Sequence, residues 1–297
     1  MTLEQLRIFV AVAEREHVTQ AARELNLTQS ATSAAVAALQ ARYETKLFDR
    51  IGRRIALTDA GRLFLVEAKA VLARAEAAEA VLADLAGLKR GTLSLAASQT
   101  VANYWLPRYI HRFRSSHPGI TVSLTIGNTE AVAGLVHAGE AELGFIEGEI
   151  DDPTLTGTPV AADELVLVVP PDHPWAGRKP DPDRDLKTAR WILRERGSGT
   201  RAMFEATLPG LGLSADDLVV AQELPSNEAV RAAVEAGAGV TVLSLLVVAG
   251  SLVAGTLATA SLPLPGRRFY ALRHRERYVT AAEREFLRLV TEGWEPA

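Results

Sequence analysis

The sequence contains no cysteine, which removes disulfides, thiolate metal ligands, cysteine nucleophiles and thiol redox sensing together. No stretch approaches the roughly 20 uninterrupted apolar residues of a membrane span, and the first residues, MTLEQLRIF, lack the charged-then-apolar pattern of a signal peptide. A cytoplasmic protein without a membrane partner is expected. The six histidines, at positions 17, 111, 117, 137, 173 and 274, show no metal-ligand spacing. GxSxG and GxxxxGK are absent, and no dinucleotide fingerprint follows a strand. Neither a metal, a cofactor nor an enzymatic activity is expected on these grounds.

What is present is a chain of 297 residues, 48% hydrophobic, which exceeds the span of one ordinary core and implies two or three domains. The formal charge of −4 is uneven: residues 1–62 carry nine basic and seven acidic side chains and stand at +2, the remainder at −6. Alone, this asymmetry is only a faint signal of a nucleic-acid module.

Residues 1–58 read as short helices followed by a small basic wing. Thr2 and Gln5 form a T-x-x-Q capping box ahead of a helix that buries Leu6, Phe9, Val10 and Ala13 and ends near Arg15 to His17. A second helix opens at Val18 and Thr19, and Asn26 is suited to the left-handed conformation that stops it. Thr28 caps a third, whose inward stripe is Val36, Leu39 and Tyr43 and whose first turns carry Gln29, Ser30, Thr32 and Ser33. A tight helix pair with short polar side chains at the start of its second member is how a helix-turn-helix meets the major groove. Gln29 suits adenine, Ser30, Thr32 and Ser33 suit bases or phosphates, and the Ala31 methyl suits thymine. The alternative is that these residues are only the wet face of a packed helix. In DRIGRRIALTDAG, Gly52 permits a turn and Arg50, Arg53 and Arg54 project together.

From Thr58 to about Leu88, Phe64, Ala68, Val71, Ala75, Ala78, Leu82 and Leu85 recur at heptad spacing on a helix of about 45 Å at 1.5 Å per residue. A dimer-forming linker over 59–90 fits this seam better than a helix packed on its own domain. Beyond Lys89 to Gly91 the texture changes. TLSLAAS, ITVSLTIGN, AELGFIEG, ELVLVVP, RWILRE and GVTVLS alternate with helical segments such as Tyr104 to Ser115 and Asn227 to Ala236, predicting a parallel-type sheet with helices on both faces. DPTLTGTPVAADE and LPLPGRR look like crossings between two lobes, one of about 91–161 and 267–297, the other of about 162–266.

Ligands of such sheets sit beyond the carboxyl ends of strands, against helix N-termini with free backbone N–H groups. Three junctions qualify: Ser98, Gln99 and Thr100 in ASQTVAN; Asn128 and Thr129 in IGNTEAV; and RERGSGTR. In the last, Gly197 and Gly199 free the backbone, Ser198 and Thr200 offer hydroxyls, and Arg194, Arg196 and Arg201 bring charge. Together they favour a small anion. Glu147, in IEG, is placed to accept from a protonated or hydroxylated ligand; Gln222, Ser226 and Ser244 are weaker candidates from the second lobe.

AARELNLTQSATSAAVAALQ, followed by LFDR and RRIALTDAG, resembles the signature of LysR-type transcriptional regulators in sequence, spacing and position. The resemblance implies an α/β chain with an N-terminal all-α winged helix-turn-helix (1–58), a long linker helix (59–90), and a two-lobed effector domain (91–297) like the type 2 periplasmic binding proteins. It makes Gln29, Ser30, Thr32 and Ser33 the base readers, with Thr19 and Thr28 beside them, and puts Arg50, Arg53 and Arg54 on phosphate or minor groove. Ala34 and Ala35 stand where the family more often has polar or basic side chains, Gln40 where glutamate is commoner, and Thr45 where glycine is common. Fewer direct base contacts shift weight onto DNA bending. SQTVANYWLP, IGNTEAV, IEG and RERGSGTR resemble the branch that regulates carbon fixation and sulfur assimilation, whose members respond to sulfur oxyanions and phosphorylated metabolites. The implied partners are promoter DNA, a second copy through the linker helices, a dimer of dimers, a small anionic effector and RNA polymerase. A cytoplasmic small-molecule-binding protein or an enzyme on a two-lobed α/β fold is the alternative.

Overall fold

The computed structural model describes residues 1–51, 54–85 and 91–292. They fall into two compact units, the first built on Met1–Leu85. There, α1 (Leu3–Arg15) starts from a closed capping box: the Thr2 hydroxyl accepts from the Gln5 amide at 3.2 Å, and the Gln5 side chain accepts from the Thr2 amide at 3.0 Å. After α2 (Val18–Glu24), Asn26 adopts φ +54° and turns the chain sharply into α3 (Gln29–Arg42), with Thr28 accepting from the Ala31 amide. Leu6, Phe9, Val12 and Leu39 form the core, with the Phe9 ring 5.5 Å from Phe48 and 4.8 Å from Phe64. Tyr43, expected inside, is half exposed because it is the C-cap of α3, beyond the last inward turn.

The wing is the antiparallel pair β1 (Phe48–Ile51) and β2 (Arg54–Leu57). Gln40 holds its base: the side-chain oxygen accepts from the Leu47 and Phe48 amides at 2.8 and 3.2 Å. Beyond it, Thr58 donates to the Lys46 carbonyl at 2.8 Å, and at Gly61 a Cβ would lie 2.1 Å from the Leu47 carbonyl oxygen. Only glycine fits where α4 (Asp59–Leu85) leaves the wing. The heptad stripe divides along this helix. Phe64 and Ala68 pack into the N-terminal core because α1 crosses there, whereas Val71 and Leu82 of the stripe, and Leu63 and Val66 beside it, remain exposed.

The second unit begins β3 (Gly91–Ser98), a one-turn helix Val101–Trp105, α5 (Pro107–Ser116), β4 (Ile120–Gly127), α6 (Thr129–Ala138), β5 (Leu143–Glu147) and β6 (Leu155–Asp163). It continues with β7 (Leu165–Val169), β8 (Arg190–Arg194), α7 (Gly199–Thr207), β9 (Val219–Leu224), α8 (Asn227–Glu235), β10 (Thr241–Ser244), α9 (Leu245–Ala254) and β11 (Ala258–Ala260), and closes with β12 (Arg267–His274) and α10 (Ala281–Thr291).

One lobe is a five-stranded sheet in the order β4-β3-β5-β12-β6; the other holds β10-β7-β11 and the parallel pair β8-β9. The expected parallel pairing is correct for β3, β4 and β5 and for the pair β8-β9, but not for the rest. Because the chain leaves after β6 and returns later, β12 enters antiparallel to both neighbours, and β7 pairs antiparallel with β10 and β11. Phe113, Phe145, Phe269 and Phe286 fill one face of the larger sheet, and Trp191 packs on Phe204 in the other lobe. Each such buried ring contributes about 1.5–3 kcal/mol.

Candidate functional site

On the first unit, Gln29, Ser30, Ala31, Ser33 and Ala34 are exposed along the opening turns of α3, and Thr19 is half-buried at the start of α2. The Thr28 and Ser30 hydroxyls lie 3.1 Å apart beside the cap. Thr32 departs from its expected role as a base reader. It is wholly buried, and its hydroxyl donates back to the Thr28 carbonyl at 3.1 Å, a bond that only a short β-hydroxyl makes within a helix. Arg50 is exposed on β1; the backbone of Arg54 opens β2, and Arg53 lies outside the described residues.

In the second unit the polar junctions converge where the two lobes meet. The carboxyl ends of β4, β3 and β5 present Asn128, Ser98 and Glu147, and the start of β12 and end of β6 add Arg267 and Asp163 at the same end of the sheet. Against them stands the N-terminus of α7. Gly199 approaches so closely that a Cβ there would meet the Thr129 hydroxyl at 2.6 Å and a Glu147 carboxylate oxygen at 3.3 Å. Thr129 donates to that carboxylate at 3.1 Å. Ser198, at the N-cap of α7, makes no side-chain bond to the first turn, although Ser198, Gly199 and Thr200 are all buried. Gly197 holds φ +83°, and its carbonyl accepts from the Glu130 amide at 3.3 Å.

Cross-lobe hydrogen bonds centre on Asn227, the first residue of α8. Its backbone N–H donates to Gln99 at 3.0 Å, its side-chain amide donates to the Thr100 hydroxyl at 3.0 Å, and its oxygen accepts from Arg194 at 2.5 Å. Gln99 in turn donates to the Pro225 carbonyl at 2.8 Å. Ser226 caps α8 and Ser244 caps α9.

Arg194 and Arg201 of RERGSGTR are scaffold, which corrects their expected role as ligand charges, while Arg196 is exposed. Arg194 forks onto both oxygens of Glu195 at 2.7 Å. Burial raises the Glu195 carboxyl, but the bonds from Arg194 more than offset it and hold that carboxyl below its usual range. Arg201 donates to Glu205, Glu223 and the Arg194 carbonyl. Burial opposes its charge, yet the two carboxylates together push the guanidinium above its ordinary value. The cation that faces the junction is Arg267, which the sequence did not single out. Its Nε donates to Asp163 at 2.5 Å and its Nη1 to the Thr200 hydroxyl at 3.0 Å, with the Arg267 and Asp163 side chains 0% and 1% exposed. Asp163 also accepts from Ser244 at 2.8 Å. Removing one partner of a buried pair of this kind costs about 3–5 kcal/mol.

Residues 3–62 match the model of the bacterial regulatory helix-turn-helix protein, lysR family, and residues 86–295 match that of the LysR substrate binding domain. The chain belongs to the LysR family of transcriptional regulators. It is 36% identical over 97% of its length to an uncharacterized HTH-type transcriptional regulator, YeiE of Escherichia coli, of which 96% is covered. It is 33% identical to the RuBisCO operon transcriptional regulator of Allochromatium vinosum, across 93% of this chain and 90% of that one. The regulatory domain of CcmR from Synechocystis PCC6803, solved in complex with 2-PG, superposes with TM-score 0.62 at 28% identity over 68% of this chain and 96% of CcmR's. The LysR assignment makes this chain a DNA-binding regulator with an effector domain, not an enzyme, and its relatives include carbon-fixation regulators. Among the described residues, no helix is long and apolar enough to cross a membrane.

Proposed function

We propose that this LysR regulator works in the cytoplasm, binds promoter DNA through α3 and the wing, and adjusts that binding when a small anionic metabolite, a sulfur oxyanion or a phosphorylated compound, occupies the junction between its lobes. The observation that carries the anion is the N-terminus of α7. It is buried, faces the polar ends of β3, β4 and β5, and takes no side-chain cap from Ser198. Free backbone N–H groups and the partial positive end of a helix are complementary to an oxyanion. The complex of CcmR with 2-PG lends support from a relative. Glu147 lies beside this helix end and selects ligands that carry a hydrogen-bond donor along with their charge.

On the DNA side, Gln29, Ser30 and Ser33 read bases, Thr19 and Thr28 flank them, and Arg50, Arg53 and Arg54 contact phosphate or minor groove. The exposed Leu63, Val66, Val71 and Leu82 of α4 pair with a second copy, and two such dimers span the operator and meet RNA polymerase. An effector shifts this assembly by at most its differential affinity for the two lobe arrangements, about 1–3 kcal/mol.

The test is thermal melting of the full-length protein against sulfite, sulfate, thiosulfate, phosphate, 2-PG, phosphorylated sugars, NADPH and O-acetylserine. A ligand at about 100 times its Kd adds roughly 2.7 kcal/mol of stability. Saturable stabilisation that is lost in Thr100→Ala and Thr200→Ala supports the assignment. A flat response to every anion in the panel overturns it.

A further inference from the structure

We propose that Arg267 is the charge that holds the effector, and that the effector and Asp163 share its guanidinium. This rests on the anion reading above and carries it further, to the binding group and to what binding changes.

Among the described residues, three buried side-chain polar atoms have no hydrogen-bond partner: Ser98 Oγ, Arg231 Nε and Arg267 Nη2. Arg231 donates to the Val247 carbonyl of α9 and also faces Tyr104 and Glu235, so its guanidinium is already engaged. The other two lie at one end of one sheet, Ser98 as the last residue of β3 and Arg267 as the first of β12. A guanidinium carries five N–H donors in a fixed plane. At Arg267, Nε is taken by Asp163 and Nη1 by Thr200, which leaves Nη2 with no acceptor. The side chain is fully buried. A charged N–H held there without an acceptor is unfavourable, and an oxyanion supplies both the acceptor and the opposite charge. Every guanidinium nitrogen of Arg194 is bonded to Glu195 or Asn227, and Arg201 already faces two carboxylates, Glu205 and Glu223, so neither is an alternative. The ligand class is a compact oxyanion, one oxygen of which meets Nη2 while the Ser98 hydroxyl donates to another.

The position of Arg267 determines what binding does. Arg267 and Asp163 are register partners on β12 and β6, the strands from which the chain enters and leaves the other lobe. Thr200, the third member, starts the helix of that lobe, and Asp163 also receives Ser244 from the N-cap of α9. An oxyanion that draws on the guanidinium therefore competes with Asp163 and acts on both crossings at once. Occupancy is converted into lobe geometry at the ion pair itself.

The test compares wild type, Asp163→Asn, Arg267→Lys and the double variant Asp163→Asn/Arg267→Met in the full-length protein. Sulfite, sulfate, phosphate and 2-PG are the probes, affinity is read by calorimetry, and a cooperative melt checks folding. The double variant removes both charges together and leaves no lone buried ion. Asp163→Asn is expected to tighten the best probe about fivefold or more by releasing the guanidinium. Arg267→Lys should weaken it about tenfold, because an ammonium lacks the planar fork, and the folded double variant about 100-fold or more. If a wild-type ligand binds the folded double variant undiminished, or if Asp163→Asn weakens binding as Arg267→Lys does, the inference fails while the anion reading stands. If no probe binds the wild type, both fall.

Discussion

The side-chain amide of Asn227, on α8, donates to the hydroxyl of Thr100, which follows β3, at 3.0 Å, and so ties one lobe to the other through two side chains of which nothing is exposed. The same Asn227 accepts from Arg194. Asn227→Ala leaves a buried hydroxyl and a buried guanidinium N–H without partners, at about 1–3 kcal/mol. A lower melting temperature of the effector domain, with a weaker response to the stabilising anion, is expected by differential scanning calorimetry. An unchanged melt would mean that the lobes are held elsewhere.

Glu283, at the start of α10, is 4% exposed, and burial together with the nearby Glu142 charge pushes its carboxyl up to about 7. The native state thus holds this proton more tightly than the unfolded chain does. Stability falls as pH rises from about 4.5 to about 7, and the loss is complete above that, approaching 3 kcal/mol, roughly. Glu283→Gln should therefore be more stable than wild type at pH 8 and nearly equal to it at pH 4.5, as read from urea midpoints. A gain of the same size at both values would rule out the titration as its cause.

Gly61→Ala forces a Cβ to within 2.1 Å of the Leu47 carbonyl oxygen, so either the wing or α4 must move. A loss of about 1–3 kcal/mol is expected in the first unit. Operator binding in a gel-shift assay should fall sharply while anion binding by the effector domain persists. Full operator affinity would show that the wing tolerates the displacement.

Gln29 and Thr32 separate reading DNA from building the helix. Gln29→Ala should relax preference at one base pair by about 1–3 kcal/mol in a binding-site selection. Thr32→Val, which replaces a buried hydroxyl already spent on Thr28, should lower stability slightly and leave base preference intact. Altered preference in Thr32→Val would return that residue to the reading face.

Caps, turns and strand-to-helix junctions are legible in the sequence. The Thr2–Gln5 box, the left-handed Asn26, the Thr28 cap and the junctions at Ser98, Asn128 and Gly199 all follow from local backbone chemistry. Arg267 was not legible, because its role arises from Asp163, 104 positions away, and LPLPGRR reads only as a crossing. A basic residue heading a strand just past a crossover was the one available signal. Thr32 misled because threonine is polar in composition yet half apolar in shape, and its hydroxyl can be satisfied within one helical turn. β6, β9, β11 and β12 are not legible as strands: LTGTPVAAD reads as a crossing between lobes, and VVAQEL, ATA and RRFYALRH are short or mix charges into the strand. Arg194 and Arg201 read as ligand charges because Glu223 is remote in sequence, although Glu195 and Glu205, one and four positions away, are the available signal of pairing.

Gln40 fastens the wing to α3 with a neutral oxygen, where a glutamate would do so with a charged one. That oxygen adds no further negative charge at the root of the hairpin, where the Glu16 carboxylate already accepts from the Leu57 amide at 3.3 Å and Asp49 stands on β1. Titrating salt should accordingly displace this protein from its operator with a steeper slope than it does the Gln40→Glu variant, whose clasp carries one more anion.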